Sequence, residues 1–333
     1  MRADSWMEEF RRCELCTWRC GVDRLAGERG VCGQGWPRIA SATLHPAPPA
    51  SFTIFIAGCN FTCLHCQNWT IAFGPAASDG PPPEPRAVAR TAIQYLRTPE
   101  ASRMGADCLF FSGGCPTTAL PYVEAIVAEA RRLHPSVGVN FDTNGFMTPE
   151  SLERVARFAT SITFDLRAVD DEVNRAMCGG PAKPILKNAE TVARRYRELL
   201  YEFRILVVPG VNEEEIEPLS CFIAGLDRDL PICFLAFRPN FALDDHTGAD
   251  RALMERAVET ARRVGLTNVS WAGSPGIPGS IGPDRHDAYT REGARLAGAV
   301  AEAAGCPTHP RLCGTCQKRT VCPLRDWRPA RST

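Results

Sequence analysis

The run Ser51–Ala57 (SFTIFIA), leading straight into Gly58-Cys59-Asn60-Phe61-Thr62-Cys63-Leu64-His65-Cys66-Gln67-Asn68, decides how this chain is read. The first seven residues are apolar and β-branched or aromatic enough to form a buried strand. The eleven that follow hold three cysteines spaced C-x3-C-x2-C. Three thiolates at that spacing reach three corners of an iron–sulfur cubane and leave the fourth iron without a protein ligand. An open iron is what a cluster needs to bind and activate another molecule. The competing reading, a structural zinc loop, needs a fourth ligand close by. His65 is the candidate, and its place between Cys63 and Cys66 directs it awkwardly.

Outward from that loop, short β-rich runs alternate with longer helical ones as far as residue 237. Strands are expected at Ser51–Ala57, Cys108–Phe111, Val137–Phe141, Ser161–Leu166, Tyr201–Val208 and Ile232–Phe237. Pro121–Leu133 carries Val123, Ile126, Val127 and Ala130 on one helical face, and Thr148-Pro149 reads as an N-cap followed by proline at N1. Near-continuous apolar strands between amphipathic helices predict a parallel sheet covered by helices, hence an α/β protein. Six such units make either an open doubly wound sheet or an incomplete barrel. Both gather ligands at the C-terminal ends of the strands.

Composition narrows the function. The chain has 333 residues, with 38 basic and 38 acidic side chains. The balanced charge gives no global field to steer the protein to nucleic acid or an anionic membrane. Residues Met1–Glu9 show no apolar signal core, and runs such as Ile205–Val208 are far too short to span a bilayer. A cytoplasmic protein is therefore expected, and there its sixteen cysteines are the anomaly. In a reducing compartment, clustered thiols are more often metal ligands than disulfides. Besides the central trio there are an N-terminal set, Cys13, Cys16, Cys20 and Cys32, and a C-terminal set, Cys306, Cys313, Cys316 and Cys322. Either terminal set suits zinc or an iron–sulfur cluster, and the two could pool ligands in one site. Cys108, Cys115, Cys178, Cys221 and Cys233 stand singly, and for most of them a small buried hydrophobe is the expected role.

The cysteine loop after the first strand of a βα series resembles that of the radical S-adenosylmethionine (radical SAM) enzymes. More narrowly it is similar to the activating enzymes of pyruvate formate-lyase and their relatives of unassigned role. The N-terminal pattern around Cys13-x2-Cys16-x3-Cys20-Gly21-Val22-Asp23-Arg24 looks like those relatives too. This resemblance implies a partial (β/α)6 barrel with cysteine-rich N- and C-terminal extensions. It implies a [4Fe–4S] cluster held by Cys59, Cys63 and Cys66, with SAM on the open iron. In the SAM site it puts His65 by the adenine and the Gly113-Gly114 turn by the methionyl amine, although Cys115 replaces the acid usual in that turn. Asp142-Thr143-Asn144 and Asp165-Leu166-Arg167 would line the same site, with arginine where the activating enzymes carry lysine. Val208 would form a wall for the adenine. Arg204 would orient an acid at the rim or act as a partner within the barrel, and Arg238 would contact substrate or SAM. Cys313-x2-Cys316-x5-Cys322-Pro323 resembles part of the SPASM auxiliary-cluster region, with Cys306 as a possible fourth ligand.

The expected organisation is then a metal-binding arm over residues 1–46, a radical SAM core over 47–245 and a helical extension with an auxiliary metal or cluster site over 246–333. The expected activity is reductive cleavage of SAM to a 5′-deoxyadenosyl radical that takes a hydrogen atom from a protein or peptide. A flavodoxin or ferredoxin would be the electron donor. A small-molecule substrate is the alternative within the same chemistry. A zinc-bearing nucleic-acid binder is the alternative of another class, and the neutral charge and full α/β core argue against it.

Overall fold

A computed structural model describes residues 5–46, 48–73, 80–243 and 246–273. Its strands are β1 Ile39–His45, β2 Ser51–Ile56, β3 Cys108–Gly113, β4 Gly138–Thr143, β5 Ser161–Leu166, β6 Leu200–Val207, β7 Ile232–Ala236 and β8 Val269–Ala272. Neighbouring strands pair in chain order, β1 to β4 in one compact unit and β6 to β8 in a second. The six expected strands are β2 to β7, each within one or two residues of its expected bounds.

The described residues fall into two compact units. The first comprises those of Met1–Asn60, Ile71–Thr163 and Tyr196–Tyr201, and the second those of Phe61–Thr70, Phe164–Arg195 and Glu202–Thr333. The division therefore runs through the cysteine loop, between Asn60 and Phe61.

In the first unit β2 pairs parallel with β3, from Ser51 opposite Cys108 to Ile56 opposite Gly113, and β3 pairs parallel with β4. Both faces of these strands are covered. Phe52, Ile54 and Ile56 alternate with buried Ser51 and Thr53, and all six residues of β3 are buried. β1 adds an antiparallel edge against β2. It has no apolar run because its middle residues face solvent, which is why sequence periodicity does not disclose it. The helix Leu120–Leu133 buries the expected face, Val123, Ile126, Val127 and Ala130. The helix Pro149–Phe158 starts as its sequence dictates: the Thr148 side chain accepts the Ser151 N–H, and Pro149 occupies the first turn.

In the second unit β6 pairs parallel with β7, and β7 with the four-residue β8. Phe164 and Phe203 meet edge to face at 5.7 Å within its core.

The end of β2 and the turn after β3 come unusually close. Gly114 and Cys115 donate their N–H groups to the carbonyls of Ile56 and Gly58, each at 2.9 Å. A Cβ on Gly114 would stand 2.1 Å from the Gly58 oxygen, and backbone there cannot yield cheaply. Gly114→Ala is therefore expected to cost about 1–3 kcal/mol, the usual range for overpacking. Gly225, in the helix Ile216–Leu226, faces open space. Gly225→Ala should leave stability unchanged or raise it by about 0.5–1 kcal/mol. Denaturant midpoints of the two variants measure both.

Candidate functional site

In the first unit the site is built on loops that leave the C-terminal ends of β2, β3 and β4. Gly58 turns the chain out of β2 with φ +85°, and its missing side chain leaves room for Gln34, whose Cγ would lie 2.2 Å from a Cβ. Cys59 follows, then Asn60, which is 1% exposed. Asn60 takes three bonds. Its Oδ1 accepts from Asn144 Nδ2 at 2.7 Å, its Nδ2 donates to the Phe146 carbonyl at 3.3 Å, and its own carbonyl accepts the Trp18 indole N–H at 2.8 Å. The same Asn144 amide lies 3.9 Å from Cys59 Sγ.

At the end of β4, Asp142 Oδ2 accepts from Ser112 Oγ at 2.6 Å, which ties it to β3. Thr143 is buried and accepts the Gly145 N–H, so it shapes the turn. Cys115 donates its thiol to Asn144 Oδ1 at 3.6 Å. Burial pushes this thiol up to about 11, against hydrogen bonds from Thr117 and Asn144. It stays protonated at neutral pH and is a poor nucleophile.

In the second unit the remainder of the cysteine loop hangs on the end of the helix Asp171–Cys178. Thr62 N–H donates to the Cys178 carbonyl at 2.9 Å and Leu64 N–H to the Met177 carbonyl at 3.0 Å. These are orphan carbonyls of a helix C-terminus, here satisfied by the loop. Phe61 packs so closely on Gly180 that a Cβ there would meet its ring at 2.3 Å.

Among the described residues, one trio of metal-ligating atoms lies within 4.8 Å of one another: Cys63, His65 and Cys178. A hydrogen bond with Cys178 pulls the Cys63 thiol well below the ordinary thiol range, against its burial, and the His65 and Arg167 sides add to the pull. Burial and the neighbouring Cys63 push Cys66 the other way. The first thiol ionises readily and the second keeps its proton until a cation displaces it.

Arg167 spreads its fork over four groups, one of them the Arg204 carbonyl, to which Nη1 donates at 3.4 Å. Nη2 meets Asp165 Oδ2 at 2.9 Å, Nε donates to His65 Nε2 at 3.3 Å, and Nη1 donates to the Leu166 carbonyl at 3.0 Å. Because a guanidinium only donates, the Nε2 of His65 is the acceptor and the ring proton belongs on Nδ1. Two buried atoms here have no hydrogen-bond partner among the described residues, Asp165 Oδ1 and His65 Nδ1. An acceptor and a donor left open in one unit, on two side chains that Arg167 holds, suit a polar ligand that carries hydroxyl or ammonium donors and ring nitrogens. SAM fits that description.

Val208 is buried, and its N–H is held by Asn212 Oδ1 at 2.8 Å. Arg204 is paired with Glu202, two residues back on its own strand, and Arg238 is exposed.

Of the lone cysteines, Cys108, Cys115, Cys178 and Cys233 are buried as expected, while Cys221 is exposed. The C-terminal set, Cys306, Cys313, Cys316 and Cys322, lies outside the described residues. The N-terminal four lie in the first unit as thiols, within electrostatic reach of one another. Burial pushes Cys16 up to about 12, and the three neighbouring thiols add to it.

Three positioning residues carried no sequence signal. Asn60 and Asn212 look like ordinary loop asparagines, yet each is buried and hydrogen-bonded through both ends of its amide; Asn212 Nδ2 donates to the carbonyls of Arg167 and Leu206. Cys178 stands 112 residues from Cys66 in the chain, and only folding brings it beside Cys63.

The family model of the radical SAM superfamily matches residues 53–220. The uncharacterized protein MJ0808 of Methanocaldococcus jannaschii is 25% identical over 300 residues, covering 80% of this chain and 83% of its own length. The isethionate sulfite-lyase activating enzyme of Oleidesulfovibrio alaskensis is 27% identical over 155 residues, covering 45% of this chain and half of its own. Among solved structures, a domain of pyruvate-formate lyase-activating enzyme from Bacteroides vulgatus aligns over 49% of this chain and 98% of its own, with 24% identity and a TM-score of 0.41. The mostly parallel α/β sheet agrees with the partial (β/α)6 barrel expected of the family. With half of its length matched by that family model, and with three cysteines spaced C-x3-C-x2-C directly after β2, the chain belongs to the radical SAM superfamily.

Proposed function

We propose that this radical SAM enzyme acts on a protein or peptide, in the manner of an activating enzyme, with Cys59, Cys63 and Cys66 holding its [4Fe–4S] cluster. One observation carries the ligand assignment: the single loop that leaves β2 supplies all three thiols, at the spacing that serves three corners of a cubane. The relative named isethionate sulfite-lyase activating enzyme supports the macromolecular substrate, because its name describes action on another enzyme. When bound, the cluster supplies the electron that splits the sulfonium of SAM into methionine and a 5′-deoxyadenosyl radical, which removes a hydrogen atom from the substrate. The chain supplies position and shielding.

His65 offers its Nδ1–H edge to the adenine, and buried Val208 gives that ring a wall. The Gly113-Gly114 turn lets backbone approach the methionyl end without a side chain in the way. Asp142, Thr143 and Asn144 serve SAM from the first unit, and Asp165 and Arg167 present it opposite charges from the second. Exposed Arg238 is left to meet the substrate. A reduced flavodoxin or ferredoxin delivers the electron. In this reading residues 1–46 form a metal-binding arm, 47–245 the catalytic core and 246–333 an extension in which Cys306, Cys313, Cys316 and Cys322 hold an auxiliary centre.

Anaerobically purified protein should be brown, hold about four irons in the core cluster, and release 5′-deoxyadenosine when given SAM and a strong reductant. Replacing Cys59, Cys63 and Cys66 by alanine should abolish that release; continued release overturns the ligand assignment. Cys115→Ala should keep release within about threefold of the parent, because a protonated thiol that only donates weakly to Asn144 does no chemistry. Arg167→Lys keeps the charge but loses the planar fork that reaches four partners. Roughly tenfold weaker SAM binding, about 1.4 kcal/mol, is expected in equilibrium titration.

A further inference from the structure

Arg24 is 1% exposed, and its surroundings do not neutralise it. Its Nε donates to the Gly35 carbonyl at 2.9 Å and its Nη1 to the Thr118 carbonyl at 2.6 Å; the Phe10 ring lies 4.6 Å from its Cζ. No carboxylate pairs with it among the described residues, and its Nη2 has no hydrogen-bond partner there. Nη1 also reaches Cys13 Sγ at 3.6 Å, and the charge acts on Cys32. A buried cation without a counter-anion is costly enough that proteins rarely keep one.

The same guanidinium belongs to a set of four donors, one aimed at each thiol of the N-terminal set. Cys13 receives Arg24 Nη1, Cys16 the N–H of Trp18, Cys20 the N–H of Val31 at 3.4 Å, and Cys32 the N–H of Gln34. Gly30 lets the chain pass Cys20 that closely, since a Cβ would stand 2.8 Å from its sulfur. N–H groups converging on sulfur favour the anionic form. We propose that Cys13, Cys16, Cys20 and Cys32 form a second metal centre, an iron–sulfur cubane closed by four thiolates and neutralised by Arg24, which clasps the N-terminal arm onto the loops that carry Cys59 and Asn144; no three of the four sulfurs lie within 4.8 Å of one another, too wide a set for a single zinc ion. An oxidised four-iron cubane with four thiolates carries a net charge of about −2, the counter-anion that Arg24 otherwise lacks.

The clasp would hold contacts already made. Thr17 donates its N–H to the Phe146 carbonyl at 3.3 Å and its hydroxyl to that of Met147 at 3.2 Å. Cys16 forms a bridge with Met147, Trp18 reaches Asn60, and Gln34 fills the space beside Gly58. Four ligand positions separated by short spacers thus sit directly behind the loops that carry Cys59 and Asn144. This centre does not depend on the core cluster assignment.

The test is metal and sulfide analysis of the full chain, purified without oxygen. A variant with Cys59, Cys63, Cys66, Cys313 and Cys316 changed to serine leaves the N-terminal set intact. It should keep about four irons with matching sulfide, and X-ray absorption at the iron edge should find sulfur alone among the nearest ligands. Zinc in place of iron overturns the cubane. A metal-free protein with native far-UV circular dichroism overturns it. In the otherwise unchanged chain, Cys16→Ser with Cys32→Ser should remove one such centre while about four core irons remain. Unchanged metal content overturns the proposal. So does a loss that fails to add to the loss from Cys313→Ser with Cys316→Ser, because shared ligands would then join the two ends. Arg24→Gln, which keeps every thiol, should release the metal to a chelator at least tenfold faster; an unchanged rate removes Arg24 from the proposal.

Discussion

Contact between the backbones of Gly58 and Gly114 sets the geometry from which the rest of the first unit's site follows. The Gly58 carbonyl accepts from Cys115 at a separation that leaves 2.1 Å for any side-chain carbon on Gly114. That contact fixes where β2 ends relative to β3, and hence the point from which Cys59 leaves the strand. Hydrophobic burial makes the sheet, but it does not aim a loop. The aim comes from two residues chosen for what they lack.

In each unit the loops are fixed by amides rather than by apolar packing. Asn60 and Asn144 tie the start of the cysteine loop to the turn after β4, and Asn212 holds the end of β6 to the residue after β5. A buried amide left unpaired costs about 1–3 kcal/mol. Each therefore accepts few arrangements other than the one in which its donors and acceptors are matched. Loops fixed in this way are rigid without being apolar, a property that suits a site required to hold a charged cofactor and keep stray hydrogen donors away.

Much of the scaffold was legible in the chain. The alternation of β-branched runs with amphipathic helices located β2 to β7, and the Thr148-Pro149 pair located a helix start, because both signals are local. β1 was hidden because an edge strand with solvent-facing residues has no apolar period, and β8 because four residues are too few to show one. The cysteine loop was legible for the same reason as the helix start, since its spacing is itself the message. Asn60, Asn212, Cys178 and the role of Arg24 were not. Their meaning lies in partners tens of residues away, and an asparagine in a surface turn is spelled the same as one in a buried hub. The terminal cysteine sets mark the middle ground: grouping was visible, but the converging donors and the stranded cation at the N-terminal set needed coordinates.

The docking of the arm also bears on how such a protein can be inherited. Trp18 donates to Asn60, Gln34 occupies the hollow beside Gly58, and Arg154 joins Glu9 of the 3-10 helix Ser5–Arg12 to Glu124 of the helix Leu120–Leu133. A gene fusion or deletion that breaks the chain near Pro46 would strip an indole from a buried carbonyl, open a void beside Gly58 and leave Arg154 with Glu124 as its remaining carboxylate. The first forty or so residues are thus no interchangeable cassette. They and the barrel strands must be transmitted, and must drift, together.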